Sequence, residues 1–587
     1  MRLPFGGKEA TPKDATAPEE PKQPGFWKSI DWRLMCALVF PVTVETLDYT
    51  VVATAQTHIA SVFNALDLQS WIGTSYLLTS TVFLPFFAAV ADIYGRHFGI
   101  QISLILFLFG STLSTGAVNM PMVLAGRGIA GVGAAGLLTI VRTILSDTES
   151  LNTNNVQQSA MFLLYAVGFS VGPVIGGFLV TASFRWVFAI NLPCAVFAII
   201  FCYLFLRGRV RDSKLSVGLP SASRIDTWIS KLAYMDWIAT FLFISGGILV
   251  LLALNWGPMD NWKSARTIVN LIIGAILIIL CISWEVVLER KRRSPTGVSG
   301  IFRAYPMIPL EMFTSFDMCV VQYGAFVSGI VMFVMFYFVA IFMTVVTGLP
   351  ASQAGVQLLY FAPGLGGGSL LSIRIVKRLR QPIYPIVLGS VVMTVGLGLI
   401  QMGMENNNEG LVNGFMAMAG VGVGLTAGPL VIQARFIKPD HIAVSNAMLL
   451  FFRAFGGTVG LAQCFTVMNA KVDSYITDTI KSSILSASDL ATLAALYNSG
   501  GLTSIQNLDG LPSSVQTVIR DAFREAVRWS FISLIPWAGV ATITSLFLSR
   551  IQDTDAGPSG SSSASQHGEK QQGGVGEAQP RLENQVI

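Results

Sequence analysis

Long apolar stretches recur along this chain, and they restrict its fold more than any other feature of the sequence. Each is about 20 residues long, enough for an α-helix to cross a bilayer core of about 30 Å. Hydrophobic residues make up 52% of the chain and charged residues only 12%, whereas roughly 25% of a soluble domain is charged. Because a backbone in lipid must satisfy its own hydrogen bonds, these stretches predict an all-α polytopic membrane protein.

Fourteen such spans can be counted, in groups of six, two and six. They lie at 34–56, 70–92, 98–117, 121–146, 157–180, 186–206, 236–255, 267–288, 320–345, 351–372, 383–403, 411–433, 443–467 and 527–549. The composition of the tails at 1–33 and 551–587 predicts disorder. The remaining domains are a six-helix bundle at 34–206, a loop at 207–235, two linker helices at 236–288, a loop at 289–319, and a second bundle at 320–550 with a long extracellular loop at 468–526.

Basic residues are unevenly distributed between the predicted loops. On one side of the membrane they cluster at 207–231 (six), 290–303 (five) and 374–380 (four), while the short loops on the other side hold only Arg185, Lys263 and Arg266. The positive-inside rule therefore predicts that both termini are cytosolic. We expect the plasma membrane as the location, with the vacuolar membrane as the alternative.

The two six-helix groups share a short repeat. Ala130-Gly131-Val132-Gly133 lies in the fourth span of the first group, and Ala419-Gly420-Val421-Gly422 lies in the fourth span of the second. The matching positions indicate two related halves around an inserted pair. Secondary transporters commonly have this plan, with the substrate site between the halves.

Two carboxylates in the first span, Glu45 and Asp48, are candidates for proton carriers. An acidic side chain within the membrane is normally paired, turned to a cavity or protonated, and burial favours the protonated form. The two residues share a helix face because they are three positions apart. Arg127 in the fourth span keeps its charge and needs a partner, which could be Asp48, Glu45 or a helix carbonyl end. A purely structural role for Asp48 is the alternative.

The loop after the second span holds Asp92, Gly95 and Arg96. A carboxylate beside a guanidinium at the membrane face can form a latch, and the tight turn needs glycine. Arg142 and Asp147 lie near the same end of the fourth span, and we expect them to join this latch.

The fifth span contains small residues four apart, around a proline. Such residues let helix backbones approach closely, and proline bends the helix. The chemistry by itself leaves packing and function equally open. The residues are Gly168, Gly172, Pro173, Gly176 and Gly177.

Four motifs resemble one transporter family. Asp92-Ile93-Tyr94-Gly95-Arg96 resembles the signature loop between helices 2 and 3 of the major facilitator superfamily, and Arg127 with Gly131 resembles its fourth-helix RxxxG motif, where the Arg is linked to proton transfer. Gly168 to Gly177, read as GxxxGPxxGG, resembles the antiporter motif that separates exporters from symporters. Leu47-Asp48-Tyr49-Thr50-Val51-Val52 resembles the first-helix motif of the fourteen-spanner drug:proton antiporters of fungi, where the Asp is implicated in coupling.

The resemblance implies the major facilitator fold, with two six-helix bundles and two extra central helices. It further implies proton-coupled efflux of small organic compounds, such as secondary metabolites, toxins or drugs, by alternating access. The proton gradient is the energy source and no cofactor is expected. The expected partners are a small organic substrate, protons and lipid, with the chain acting as a monomer. The alternatives are a proton symporter that imports a sugar, a vitamin or an iron chelate, and a non-transporting membrane sensor.

Catalysis and nucleic-acid binding are not expected. The sequence has no Ser/His/Asp set, no phosphate-binding loop and only four His, so an enzyme is not predicted. Its six cysteines fall in apolar stretches without the spacing of a metal site.

Polar side chains within other spans are candidates for the wall of a substrate cavity. Arg453 lies near mid-depth in its span, where it could recognise an anion, act in gating or pack against a carbonyl end. The full set is Gln56, Tyr76, Gln322, Tyr337, Gln433 and Arg453.

Overall fold

A computed structural model describes residues 32–65, 68–147, 151–208, 210, 231–259, 262–292, 300–482, 485–498 and 511–551. Over this part of the chain all regular structure is helical, without a strand. The predicted disordered tails and most of the loop 207–235 lie outside the described residues.

The first bundle contains the first six predicted spans. The second span is broken into two helices that meet at an angle of 45°, because Pro85 stands in the first turn of the second helix and cannot continue the helical ladder. The helices are α1 (Trp32–Val62), α2 (Gln69–Val82), α3 (Leu84–Tyr94), α4 (Arg96–Thr115), α5 (Met120–Ser146), α6 (Leu151–Ala182), α7 (Phe184–Ala189) and α8 (Asn191–Leu206).

The inserted pair and the second bundle follow. The main helices are α9 (Trp237–Trp256) and α10 (Ala265–Arg292), then α11 (Phe316–Ile341), α12 (Phe361–Leu379), α13 (Ile383–Glu405), α14 (Glu409–Ile437), α15 (Ile442–Ser482), α16 (Ala487–Asn498) and α17 (Ser513–Ser545). We call the face at which α1 begins the inner face. The charge distribution predicts that it is cytosolic.

The number of membrane-crossing helices fits the predicted plan. Twelve helical spans in the described residues are long and apolar enough to cross a membrane, and the bent pair of α2 and α3 is a thirteenth. The predicted fifth span, 157–180, lies within the 32 residues of α6. The order of helices therefore agrees with six, two and six.

The short glycine repeat occupies equivalent places in the two bundles. A Cβ on Gly131 would overlap Tyr76 and Thr79 of α2, and one on Gly420 would lie 2.6 Å from the Phe361 carbonyl at the start of α12. A Cβ on Gly133 would overlap Phe107 of α4, and one on Gly422 would overlap Met393 of α13. These two helices are the third membrane span of their bundles. Each pair lets the fourth helix pack closely on the second and third, so the two bundles share one packing plan.

The described parts of the predicted extracellular loop 468–526 are largely helical, so the two flanking spans are longer than the sequence predicted. The helix α15 runs on to Ser482, α16 follows, and α17 begins at Ser513 instead of near 527. With 41 residues, α15 is about 60 Å long, roughly twice the thickness of a bilayer core. At its outer end, Val472 and Ile476 belong to one apolar cluster with Leu493 and Ile519. Burial of these side chains stabilises helices in a segment whose polar residues suggested a loop.

The inserted pair packs on both bundles. The ring of Trp256 on α9 lies 5.7 Å from that of Trp71 on α2, and the ring of Phe243 lies 5.1 Å from that of Phe451 on α15. The two helices of the pair approach each other closely at Gly246 and Gly274, where a Cβ would lie 3.0–3.1 Å from the opposite carbonyl. The helix α9 therefore covers the line where the two bundles meet.

The two bundles contact each other at the inner face. Asn446 at the inner end of α15 donates to Ser146 Oγ of α5 at 3.1 Å, and Asn155 of α6 donates to the Ile373 carbonyl of α12 at 3.2 Å. Leu151, Val376 and Ile432 form a small apolar cluster beside them. These contacts close the inner side of the molecule.

Candidate functional site

A buried ion pair lies in the first bundle, within the membrane-spanning region. Arg127 Nη1 of α5 is 2.6 Å from Asp48 Oδ2 of α1, and Asn191 at the start of α8 donates to the other oxygen, Oδ1, at 2.7 Å. Asp48 is fully buried and Arg127 is 2% exposed. The structure thus brings together two of the three residues predicted for proton coupling and adds an amide that orients the carboxylate.

The guanidinium of Arg127 is held on its other sides as well. Its Nε donates to the Ile72 carbonyl of α2 at 3.2 Å, and its Cζ lies 4.2 Å from the centre of the Tyr76 ring. Tyr76, predicted to line a cavity, is instead a buried support for this cation. A cation–π contact of this kind contributes about 2 kcal/mol when desolvated.

Glu45 lies one turn from Asp48 and has a different environment. Its side chain is 8% exposed, and its Oε2 has no hydrogen-bond partner among the described residues. It is close enough to interact electrostatically with Arg142 and with Asp48. A buried carboxylate with an open oxygen is costly unless it binds a proton or a ligand.

Arg142 does not lie in the predicted latch, so that part of the prediction needs correction. Its neighbours include Tyr165, to which it is hydrogen-bonded, and Glu45. Five helical positions separate it from Asp147, which is a rotation of about 140° at 3.6 residues per turn. Arg142 therefore faces the centre of the molecule while Asp147 faces α4.

The latch itself is formed by three other residues. Arg96 Nη1 is 2.9 Å from Asp92 Oδ1, and its Nε is 3.1 Å from Asp147 Oδ2. Gly95 separates α3 from α4 with φ of 96°, a conformation that favours glycine. One buried guanidinium thus joins the inner ends of the second, third and fourth spans.

The glycines of α6 lie against α1. A Cβ on Gly168 would overlap the Thr46 side chain, and one on Gly172 would overlap that of Thr50. Both threonine hydroxyls donate to carbonyls of their own helix, Thr46 to that of Val42 and Thr50 to that of Thr46. The motif thus brings α6 close to α1 beside Asp48.

Gly176 is buried, while the side chain of Pro173 and the surroundings of Gly177 lie outside the described features.

Comparison with known proteins gives one family. The family model described as Major Facilitator Superfamily matches residues 38–260. The chain is 27% identical to the MFS-type transporter ppz2 of Metarhizium majus, over 88% of this chain and 84% of that protein. It is 26% identical to the efflux pump dotC of Dothistroma septosporum, over 89% and 84%, and 27% identical to the MFS-type efflux pump LUC4 of a Fusarium species, over 82% and 81%.

A solved structure shows the same fold. The MFS proton:xylose symporter XylE superposes with a TM-score of 0.53 at 12% sequence identity, covering 88% of this chain and 96% of that one. At this identity the likeness concerns the fold alone. By sequence, this chain is similar to members of the major facilitator superfamily over most of its length.

The chain is an integral multi-pass membrane protein similar to the transporters of that superfamily, in agreement with its helices. Two of its candidate cavity residues have structural contacts instead. Gln322 donates to the Met312 carbonyl at 3.3 Å, and Gln433 donates to the Ser549 carbonyl at 2.9 Å, both near the inner face. Gln56 packs beside Gly73 on α2. Their polarity was visible in the sequence, but their depth and direction were not.

The remaining candidates lie between the bundles. Tyr337 of α11 is 45% exposed and close enough to Tyr49 of α1 for an electrostatic interaction, so it lies where the two bundles face each other. Arg453 of α15 is in electrostatic range of Arg142 and Tyr165. These are the two cavity predictions for which the geometry is favourable.

Several site residues were not singled out from the sequence. Tyr165 bonds Arg142, Asn191 bonds Asp48, and Asn446 and Ser146 close the inner face. Asn191 does carry a signal, since a buried Asn at a helix start within an apolar span needs a partner. The other three are single polar residues with no spacing that distinguishes them. Among the described residues, no group of three or more His, Cys, Asp or Glu is arranged to hold a metal ion.

Proposed function

We propose that this transporter exports small organic compounds from the cytosol in exchange for protons, by alternating access. The observation that carries the proposal is the buried pair of Asp48 and Arg127, at 2.6 Å, inside a membrane transporter. Such a carboxylate can exist in two protonation states, whereas arginine keeps its charge. Asp48 is thus the member of the pair that a proton can change.

The energy of this pair is large enough to affect the conformation. Removing one charge of a buried pair costs about 3–5 kcal/mol, and about 5.5 kcal/mol moves a two-state equilibrium from 1:99 to 99:1. Protonation of Asp48 would leave Arg127 with the Ile72 carbonyl and the Tyr76 ring. Because α1, α2, α5 and α8 all meet at this pair, its loss would favour a different arrangement of those helices.

Export is supported by two findings. The glycines that resemble the antiporter motif pack directly on Thr46 and Thr50, so the motif sets the position of the helix that carries Asp48. Several relatives of similar length bear names that describe them as efflux pumps. The bundles are in contact at the inner face in this structure, which is the arrangement in which an exporter would release substrate to the outside and take up protons there.

The remaining parts of the proposal follow from this direction of transport. Removal of compounds from the cell requires the plasma membrane, with both termini and the inner face in the cytosol, as the positive-inside rule indicates. Each bundle packs on the other within one chain, which supports a monomer. Import of a sugar, a vitamin or an iron chelate is the rival, and an uptake assay at low external pH distinguishes it.

The test uses the variant Asp48→Asn, which cannot ionise. Cells with and without the chain are first compared for export of a panel of small organic compounds, and an exported compound is then measured in reconstituted vesicles with and without a pH gradient. We expect Asp48→Asn to insert normally and to lose the gradient-dependent part of efflux. Asp48→Glu, which keeps an ionisable group, should retain part of it.

Normal gradient-driven efflux by Asp48→Asn would refute the coupling role. Net uptake by the intact chain under an inward proton gradient would refute the direction.

A further inference from the structure

A second cluster of charges lies between the two bundles, closer to the inner face than Asp48. It contains Arg142 of α5 and Arg453 of α15, with Tyr165 of α6 in electrostatic range of both. Glu45 of α1 completes it through its interactions with Arg142 and Tyr165. The described cluster thus has two guanidinium groups from opposite bundles and one carboxylate.

The charges of this cluster are arranged across the moving interface of a transporter. Arg142 belongs to the first bundle and Arg453 to the second, and they are close enough to repel each other. Like charges that approach in a region of low dielectric raise the energy of the closed arrangement. An anion between them removes that repulsion and attracts both bundles at once.

Position also favours a ligand here. Arg453 is seven residues from Asn446, about 10 Å along α15 at 1.5 Å per residue, and Asn446 forms part of the inner closure. Tyr337 of the second bundle is in electrostatic range of Tyr49 of the first, and Tyr49 in turn interacts with Glu45. The cluster therefore lies between the bundles, within about two helical turns of the contacts at the inner face.

The side chain of Glu45 independently indicates a ligand-binding site. Its side chain is more than nine-tenths buried, and its Oε2 lacks a hydrogen-bond donor among the described residues. A buried acceptor of this kind normally has one. A hydroxyl on a bound compound would satisfy it.

We propose that the substrates are organic acids that also carry a hydroxyl group, bound with the ionised acid between Arg142 and Arg453 and the hydroxyl on Glu45. This substrate class rests on the proposed transport function, and it extends that function by naming the chemistry that the site recognises. Guanidinium groups bind carboxylates through paired, charge-assisted hydrogen bonds.

The test measures binding to the purified full-length chain in detergent, without a proton gradient. The probes are 6-hydroxy-2-naphthoate, its methyl ester and 6-hydroxy-2-naphthylmethylamine, which share one hydroxylated aromatic body and differ in charge. We expect the acid to bind and to raise the unfolding temperature, while the ester and the amine bind at least tenfold more weakly.

The variants Arg453→Gln and Arg142→Gln should weaken binding of the acid about 10- to 100-fold, as expected for lost hydrogen bonds to a charged group. Arg453→Lys keeps the charge and should lose less affinity. The matched control is Arg528→Gln, since Arg528 binds Gln401 and Glu405 between α13 and α17, in the second bundle away from the cluster. It should bind the acid normally, and the unfolding temperature of each unliganded variant reports whether it is folded.

Equal binding of ester or amine, no binding of the acid, or unchanged affinity in both glutamine variants would overturn the proposal. Because the measurement needs no gradient, its result is independent of whether Asp48 couples transport to protons. Failure here would leave proton-driven export of neutral compounds standing.

Discussion

Glu45 and Asp48 are separated by a single helical turn, but they have different partners. Asp48 is bonded to Arg127 and Asn191, while the Oε2 atom of Glu45 has no described donor. These two carboxylates therefore have different roles. Asp48 belongs to a fixed ion pair whose loss changes helix contacts, and Glu45 is open to a proton or a ligand.

The close contact of Gly172 with Thr50 gives a prediction on helix packing beside that ion pair. A Cβ at position 172 would overlap the Thr50 side chain, so Gly172→Ala must separate α6 from α1. We expect destabilisation of about 1–3 kcal/mol, the usual cost of overpacking, together with slower efflux. The unfolding temperature in detergent and the initial export rate measure the two effects.

The matched control for this substitution is Gly128→Ala in α5, where a Cβ would meet nothing within 4 Å. It should leave both quantities nearly unchanged. If Gly128→Ala and Gly172→Ala behaved alike, the effect would belong to glycine in general and the close approach of α1 and α6 would not matter.

At the scale of helices, one carboxylate joins the two helices of the inserted pair at their inner end. Asp236 caps α9 by accepting from the Ala239 backbone N–H at 2.9 Å, and Trp284 Nε1 of α10 donates to the same side chain at 3.0 Å. The residue is buried. It therefore satisfies a helix end and joins two helices at once.

We predict that Asp236→Ala destabilises the protein by about 2.5 kcal/mol. The estimate combines a lost N-cap, about 1 kcal/mol, with a lost hydrogen bond between a tryptophan and a charged group, about 1.5 kcal/mol. Asn408→Ala is the comparison, because Asn408 caps α14 through one exposed bond to Leu411. Unfolding temperatures should fall in the order wild type, Asn408→Ala, Asp236→Ala, and the reverse order of the two variants would contradict the double role of Asp236.

For the whole molecule, the decisive feature is the closure at the inner face. Ser146 Oγ accepts from Gln158 of its own bundle at 2.9 Å and from Asn446 of the other bundle at 3.1 Å. Alternating access requires this contact to open when the inner side opens. A covalent link at the same place would hold the molecule in the closed arrangement.

The double variant Ser146→Cys with Asn446→Cys tests this. We expect mild oxidation to form a disulfide, since the side chains are already in contact, and to reduce efflux to background until a reductant restores it. Each single variant should transport the same compound before and after oxidation. Transport that continues after complete cross-linking would show that the inner contact does not open during the cycle.

The sequence by itself determined the class of the protein, the order of its helices and the identity of most of its charged site residues. A membrane helix satisfies its own backbone hydrogen bonds, so each span can be recognised from local composition without knowing its neighbours. The repeat around Gly131 and Gly420 likewise predicted two related halves, because small residues are needed wherever backbones approach. The two spans beside 468–526 were predicted too short, since the additional helical turns depend on burial of Val472 and Ile519 in a shared core.

The tertiary structure alone decided which charges meet. Asp48 is bonded to Arg127, which is 79 residues away in the sequence, and to Asn191, which is 143 residues away. Local sequence patterns contain no information about contacts at such separations. The same reason explains Arg142, which the sequence grouped with Asp147 because they are neighbours in the chain. Helix rotation turned it instead to Glu45, Tyr165 and Arg453, where three helices of one bundle and one of the other converge.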